Sequence, residues 1–483
     1  MLRSNLAEDC AAGEWRKRDA LDSVDISPAP IVGPAIGSEE RVDKPEVFTA
    51  DEVGRFRAEL AARRVPGAYE PGRWSVSPLN RDVTVTGRMP ASIRLRDATL
   101  RSIETMPGVV ASEDAKSTYL RRLVEAGVGE VVGAGAAGRS LETLHTEVDT
   151  VKGVNPDCLT VCPLVFSEAD IDRAAEAGFD GVQVWVQGFG DTAQIYKRIY
   201  DTAWQGQDWR GTFPIQSRAE ILATAARLVS HARSRDLRVA TPMLMVSYLD
   251  DELHEQTVRA LAGAGATELT LFDGPGGVGP EAFARLVTRT LELAPDVEVG
   301  LHPHNTFGLA VACAVSAARA GAGVIELSVN GYCGGPGNAD LAATTAAFEV
   351  LYGVDTGIRT ELLTGLARAG EELTGYHVAW NHPVTGTKAF NWGGMDIITQ
   401  EVAIDPLLHN CVEPTLVGNQ RTVPFTPFSG PYTLADKLAD LGLDVTHDEV
   451  DAVLAAARDE MSRSGALLTD AEIAELAKRV TAP

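Results

Sequence analysis

From Ser92 to about residue 355 one pattern recurs: a short β-rich apolar run, then an amphipathic helical stretch that often closes on glycine. The runs are SIRLRDATL from Ser92, EVVGAG from Glu130, CLTVCPLV from Cys158, GVQVWVQG from Gly181, RVATPMLMVSY from Arg238, ELTLFDGPG from Glu268, VEVGLHPHN from Val297 and VIELSVNGY from Val324. Between them lie helical patterns such as DAKSTYLRRLVEAG and ELHEQTVRALAGAG. Eight strand–helix units over roughly 265 residues match the count and size of a (β/α)8 TIM barrel, an α/β fold. A doubly wound open sheet is the competitor, but a glycine-rich phosphate turn after the first strand is missing. Residues 1–91 read as an N-terminal extension with one helical stretch, Thr49 to Arg64, and residues 92–355 as the catalytic barrel. After about residue 355 the alternation stops, and residues 356–483 read as a mostly helical C-terminal region.

Barrels place chemistry at the C-terminal ends of their strands, so polar residues there are the candidates. His302 and His304 end the seventh run; strand alternation turns residues two apart to one side, so both imidazoles can meet one ion. The eighth run feeds NGYCGGPGNADL, where glycines let backbone approach a ligand closely. There the Asn338 amide oxygen can complete a metal shell, or cap the next helix in a tight turn. Cys333 in the same turn is a candidate acid or nucleophile. Arg101, just past the first run, suits a carboxylate or an enolate oxygen, or closes an ion pair at the barrel base. Asp97, earlier on that run, reads as an internal anchor.

The formal charge, 43 basic against 67 acidic side chains for a net −24, argues against nucleic-acid binding. No apolar run is long enough for a membrane span, and acids near the N-terminus argue against a signal peptide. Six scattered cysteines (Cys10, Cys158, Cys162, Cys313, Cys333, Cys411) fit a reducing compartment, so a cytoplasmic location is expected.

The stretch IRLRDATLRSIETMPGVVASEDAKSTYLRRLVEAGV resembles the opening of the DRE-TIM metallolyase superfamily, D-x-T-L-R-D/E-G-x-Q followed by a helix ending E-A-G-V. HPHNTFGLAVACAVSAARAGAGVIELSVNGYCGGPGNADL resembles its H-x-H-N-D-x-G-L-A and G-N-A signatures. PVTGTKAF and EPTLVGNQRTVPFTPFSGPYTLADKLADLGL resemble the post-barrel region of the isopropylmalate, homocitrate and citramalate synthase branch. The resemblance implies a divalent ion (Mg, Mn or Zn) on His302, His304 and Asn338, with Asn305 and Ser102 at the substrate. It further implies Arg101 as charge balance and condensation of an acyl-CoA, acetyl-CoA above all, with a 2-oxo acid. The alternatives are a metal-dependent carbon–carbon lyase or aldolase of the HMG-CoA lyase type, and a catalytically silent barrel acting as a binding subunit. A homodimer is implied through the post-barrel helices. The chain ends near residue 483, so a large leucine-binding regulatory domain is not expected.

Several positions depart from the family pattern. Ser102 stands where a metal carboxylate follows the arginine, Val132 where an acid ends the second strand, and Thr306 where H-x-H-N-D has its aspartate. Trp392 replaces the histidine of a post-barrel motif that belongs to the acid–base machinery of the synthases. Glu104, just beyond Arg101, is the nearby carboxylate that could stand in for the lost one.

Overall fold

In the computed structural model of the protein, residues 48–135, 139–185 and 217–482 are described. Cys10 and the first half of the expected extension lie outside them. Eight parallel strands close a barrel: β1 (Arg94–Asp97), β2 (Glu130–Val132), β3 (Leu159–Val165), β4 (Gly181–Val184), β5 (Arg238–Leu244), β6 (Glu268–Asp273), β7 (Glu298–Pro303) and β8 (Val324–Leu327). They follow chain order, with β8 pairing β1. Each of the eight apolar runs forms the strand the sequence predicts.

The helices wrap the outside: α1 (Glu113–Glu125), α2 (Leu141–Val154), α3 (Glu168–Glu176), α4 (Arg218–Ser234), α5 (Asp251–Gly263), α6 (Pro280–Leu293), α7 (Ala310–Arg319) and α8 (Leu341–Ala346). Their starts are written locally: Ser112, Ser140, Ser167, Ser217 and Asp250 each accept a first-turn amide through the side chain. The E-A-G signature after α1 has an equally direct cause. Gly127 sits at φ +93°, and a Cβ there would meet the Gly357 carbonyl oxygen at 2.4 Å.

Alternation along β1 sends neighbouring charges to opposite sides of the wall. Arg96 enters the barrel interior, where Nε donates to Glu130 at 2.9 Å and Nη1 reaches Glu268 at 2.9 Å and Glu326 at 3.3 Å. Arg96 and all three glutamates are buried. Register explains the meeting, since Glu326 and Glu130 flank Arg96 on the adjoining strands. An ionic layer thus fills a level of the barrel where branched aliphatics are usual.

Asp97 turns outward to the helix layer as the expected anchor. It accepts hydrogen bonds from the Thr99 amide (3.0 Å) and hydroxyl (2.7 Å) and from the Tyr119 hydroxyl of α1 (3.3 Å). Burial pushes its carboxyl up to about 6 against those bonds. A raised folded value means that the native state holds its proton to higher pH than the unfolded chain, so stability is lost as pH rises from about 4 to about 6. The shift corresponds to about 3 kcal/mol. Urea unfolding of the parent and Asp97→Asn at pH 4 and pH 7 should show the parent losing about that much more than the variant; parallel pH dependences would contradict it.

After residue 355, where the strand–helix alternation ends, the first part of the tail packs on the barrel. Helix α9 (Leu363–Thr374) buries Leu363, Leu366, Ala369 and Leu373 in the same core as the barrel, as do Phe390 and Val417. A separate core begins only with Phe425, built by α11 (Pro431–Asp440), α12 (His447–Ser464) and α13 (Asp470–Val480), after α10 (Asp396–Ile404). The switch in periodicity marks the end of strand–helix alternation, whereas a core extends as far as apolar faces continue to find it. The helix Ala50–Arg63 docks on this C-terminal region: Arg57 donates to the Ala403 (3.0 Å) and Ile404 (2.6 Å) carbonyls that end α10. No helix among the described residues is long and apolar enough to cross a membrane, and no disulfide joins the described cysteines.

Candidate functional site

The two-residue period of β7 carries His302 and His304 to one side, their ring centroids 5.3 Å apart. His302 is wholly buried, stacked 3.9 Å from the Phe272 ring of β6, its register partner. Its Nδ1 meets Glu326 Oε1 at 2.8 Å, which leaves Nε2 facing the site without a hydrogen-bond partner. Burial opposes charge on this imidazole, but the Cys333 sulfur and Glu326 outweigh it and the pKa is raised. Glu326 in turn is held down at about 2: His302, Arg96 and Arg101 overcome its burial. Surroundings that favour positive charge at Nε2 suit a metal ion as well as a proton.

The glycine turn after β8 supplies the other side. Gly337, at φ +82°, is required: a Cβ there would lie 2.0 Å from the Gly331 carbonyl oxygen. The turn pairs Asn338 with His304 as a β-bridge and brings Cys333 Sγ to 3.9 Å from His304 Nε2. Asn338 Nδ2 donates to Ser328 Oγ at 3.0 Å, so its Oδ1, buried and without a partner, is the atom left for a ligand. Asn338 is not the helix cap; Asp340 caps α8, its carboxylate accepting from the Ala343 amide. Burial opposes ionisation of the Cys333 thiol, yet His302, His304 and Arg101 outweigh it and hold it at about 4.

Arg101 lies 8% exposed with its guanidinium 4.6 Å from the Trp185 ring centroid and 5.4 Å from that of Phe272. Among the described residues no carboxylate forms an ion pair with it, and it stands as a cation close to His302. Ser102 is fully buried and takes a hydrogen bond from Ser328 Oγ at 3.4 Å, filling the wall beneath Asn338.

Other candidates stand apart. The Glu104 carboxylate accepts from Arg139 at 3.1 Å and is not among the donor atoms that converge with His302, His304 and Cys333. Asn305 uses its amide oxygen to accept from the Ala310 amide at 3.1 Å, fastening the start of α7. Trp392 is half exposed and meets His409 edge-on at 4.5 Å.

The residue that sequence reading passed over is Glu326. The signal was an acid inside the apolar run VIELSV, two positions before Ser328 and therefore on its face. Phe272 and Trp185, which wall the site, carry no such signal, because aromatic residues on strands are ordinary.

The donor set fits a divalent ion on structural grounds: two imidazoles and a thiol converge, the turn that pairs with His304 carries the Asn338 amide oxygen, and His302 Nε2 and Asn338 Oδ1 are buried without a hydrogen-bond partner. Residues 213–369 match the family model described as HMGL-like. A protein of Methanopyrus kandleri named as an (R)-citramalate synthase is 30% identical over 83% of this chain and 75% of its own length. A second from that organism, named as a 2-isopropylmalate synthase, is 30% identical over 76% of this chain and 69% of its own. A homocitrate synthase of Methanothermobacter thermautotrophicus is 26% identical over 85% and 99%.

Proposed function

Because the chain belongs to the isopropylmalate, homocitrate and citramalate synthase branch of the HMGL-like, DRE-TIM barrels, we infer that it condenses an acyl-CoA with a 2-oxo acid. Free CoA and a 2-hydroxy acid result. The observation that carries this reading is the presence, at one barrel mouth, of the bare donors of His302 and Asn338 and of the Arg101 guanidinium, which has no carboxylate partner among the described residues. A divalent ion held by His302, His304 and Asn338 would polarise the oxo group of the acid.

The protein's own residues do the rest. Arg101 is positioned to hold a carboxylate, or the oxygen that gains negative charge as the new bond forms, in a site walled by Phe272 and Trp185. Glu326 engages Nδ1 of His302 and so turns Nε2 toward the site. Exposed Trp380, Trp392 and Phe428 on the post-barrel region support a homodimer, which light scattering reads directly.

Purified protein offered a panel of acyl-CoAs and 2-oxo acids with divalent ions should release free thiol only when both substrates are present. Release with the acyl-CoA alone would mean hydrolysis, and no release with any pair would favour a silent barrel.

A further inference from the structure

Position 102, where the family pattern has an acid, is a serine, and among the described residues no carboxylate joins the convergent donors. Sulfur closes the group instead. Cys333 Sγ and the ring nitrogens of His302 and His304 all lie within 4.8 Å of one another. The segment that lacks the acid also holds the sulfur in place. Thr105 Oγ1 donates to the Ser102 carbonyl at 2.7 Å, accepts from the Gly334 amide at 2.9 Å, and lies 3.9 Å from Cys333 Sγ.

Two independent observations point to a ligand. Nε2 of His302, 0% exposed, and Oδ1 of Asn338, 1% exposed, are buried without partners. A buried polar atom left bare loses its hydration with nothing in return, and a bound cation is a partner that both a ring nitrogen and an amide oxygen can accept.

We propose that Cys333 is a metal ligand rather than an acid or nucleophile, and that with His302, His304 and Asn338 it forms a nitrogen–sulfur–oxygen site selecting zinc-class ions over magnesium and manganese. The proposal rests on the same metal position as the reading above. Thiolate is a soft donor that favours zinc, cobalt or iron, whereas magnesium and manganese seek carboxylate and water oxygens. Zinc–sulfur bonds of about 2.3 Å and zinc–nitrogen bonds of about 2.0–2.1 Å set tetrahedral neighbours about 3.5 Å apart, so the 3.9 Å between Sγ and His304 Nε2 closes with a small shift. Any thiol proton still present leaves to solvent as the metal–sulfur bond forms.

Metal-stripped protein titrated with cobalt(II) should bind one ion per chain and develop a thiolate-to-cobalt charge-transfer band in the near ultraviolet. Cys333→Ser should lose the band and bind zinc at least about tenfold more weakly. No band in the parent, or a band that survives in Cys333→Ser, would overturn the assignment. Zinc-edge X-ray absorption of the parent needs no variant to fold: a sulfur neighbour at about 2.3 Å supports the proposal, and a shell of nitrogen and oxygen alone sinks it. Neither measurement depends on turnover. Sulfur-ligated zinc without thiol release would remove the synthase reading and leave this one, and turnover without a sulfur neighbour would do the reverse.

Discussion

His302→Ala is expected to abolish stoichiometric metal binding and to lower synthase turnover on the order of 100-fold or more. The imidazole is the only member of the cluster that is wholly buried, stacked on Phe272, and locked in one tautomer by Glu326, so no neighbouring group can take its place. Glu326→Gln separates ligation from orientation. The amide keeps the size but loses the charge that favours a cation at Nε2, and metal affinity should fall about 10–100-fold with the ligand still present. Arg96 and Gln183 still hold position 326, so both variants should unfold cooperatively. Calorimetric metal titration reads both effects. Parent-like affinity in His302→Ala would show that the ion, if bound at all, sits elsewhere.

Arg96→Met should destabilise the barrel by about 3–5 kcal/mol, the range for breaking a buried charge pair by removing one partner. Here one guanidinium serves Glu130, Glu268 and Glu326, all nearly inaccessible to water. Without it these carboxylates either remain charged in the interior or take up protons. Their folded pKa values then rise, so the deficit grows as pH increases above the carboxylate range and shrinks toward pH 4. Arg96→Lys keeps the charge but cannot reach three carboxylates in fixed directions, and should fall between the two. Denaturant midpoints at pH 4.5 and pH 7.5 test this; a loss below about 1 kcal/mol at the higher pH would show that the layer tolerates an uncompensated charge.

The barrel was legible because its signals are local. Eight apolar runs, serine caps and the glycine after α1 each follow from residues a few positions apart. Three of the four proposed ligands were legible as well: His302 and His304 share a face by the period of one strand, and Asn338 stands in the glycine turn after the next. Glu326 was not, although it touches His302, because strand pairing rather than spacing brings them together. The same limit applies to α9, whose apolar face is written in its periodicity but whose place on the barrel core is set by packing across the chain.

The amino-acid order by itself determined the count and succession of strands and helices and which side of each strand every polar residue faces. Closure of the barrel decided the rest. It set Arg96 against Glu326 across 230 residues of chain, folded Cys333 and Asn338 back over His304, and left Ser102 beneath them without an acid to offer. Backbone periodicity is a property of neighbours, but which donors share a pocket depends on register between strands far apart in the chain, and that emerges only when the sheet meets its own first edge.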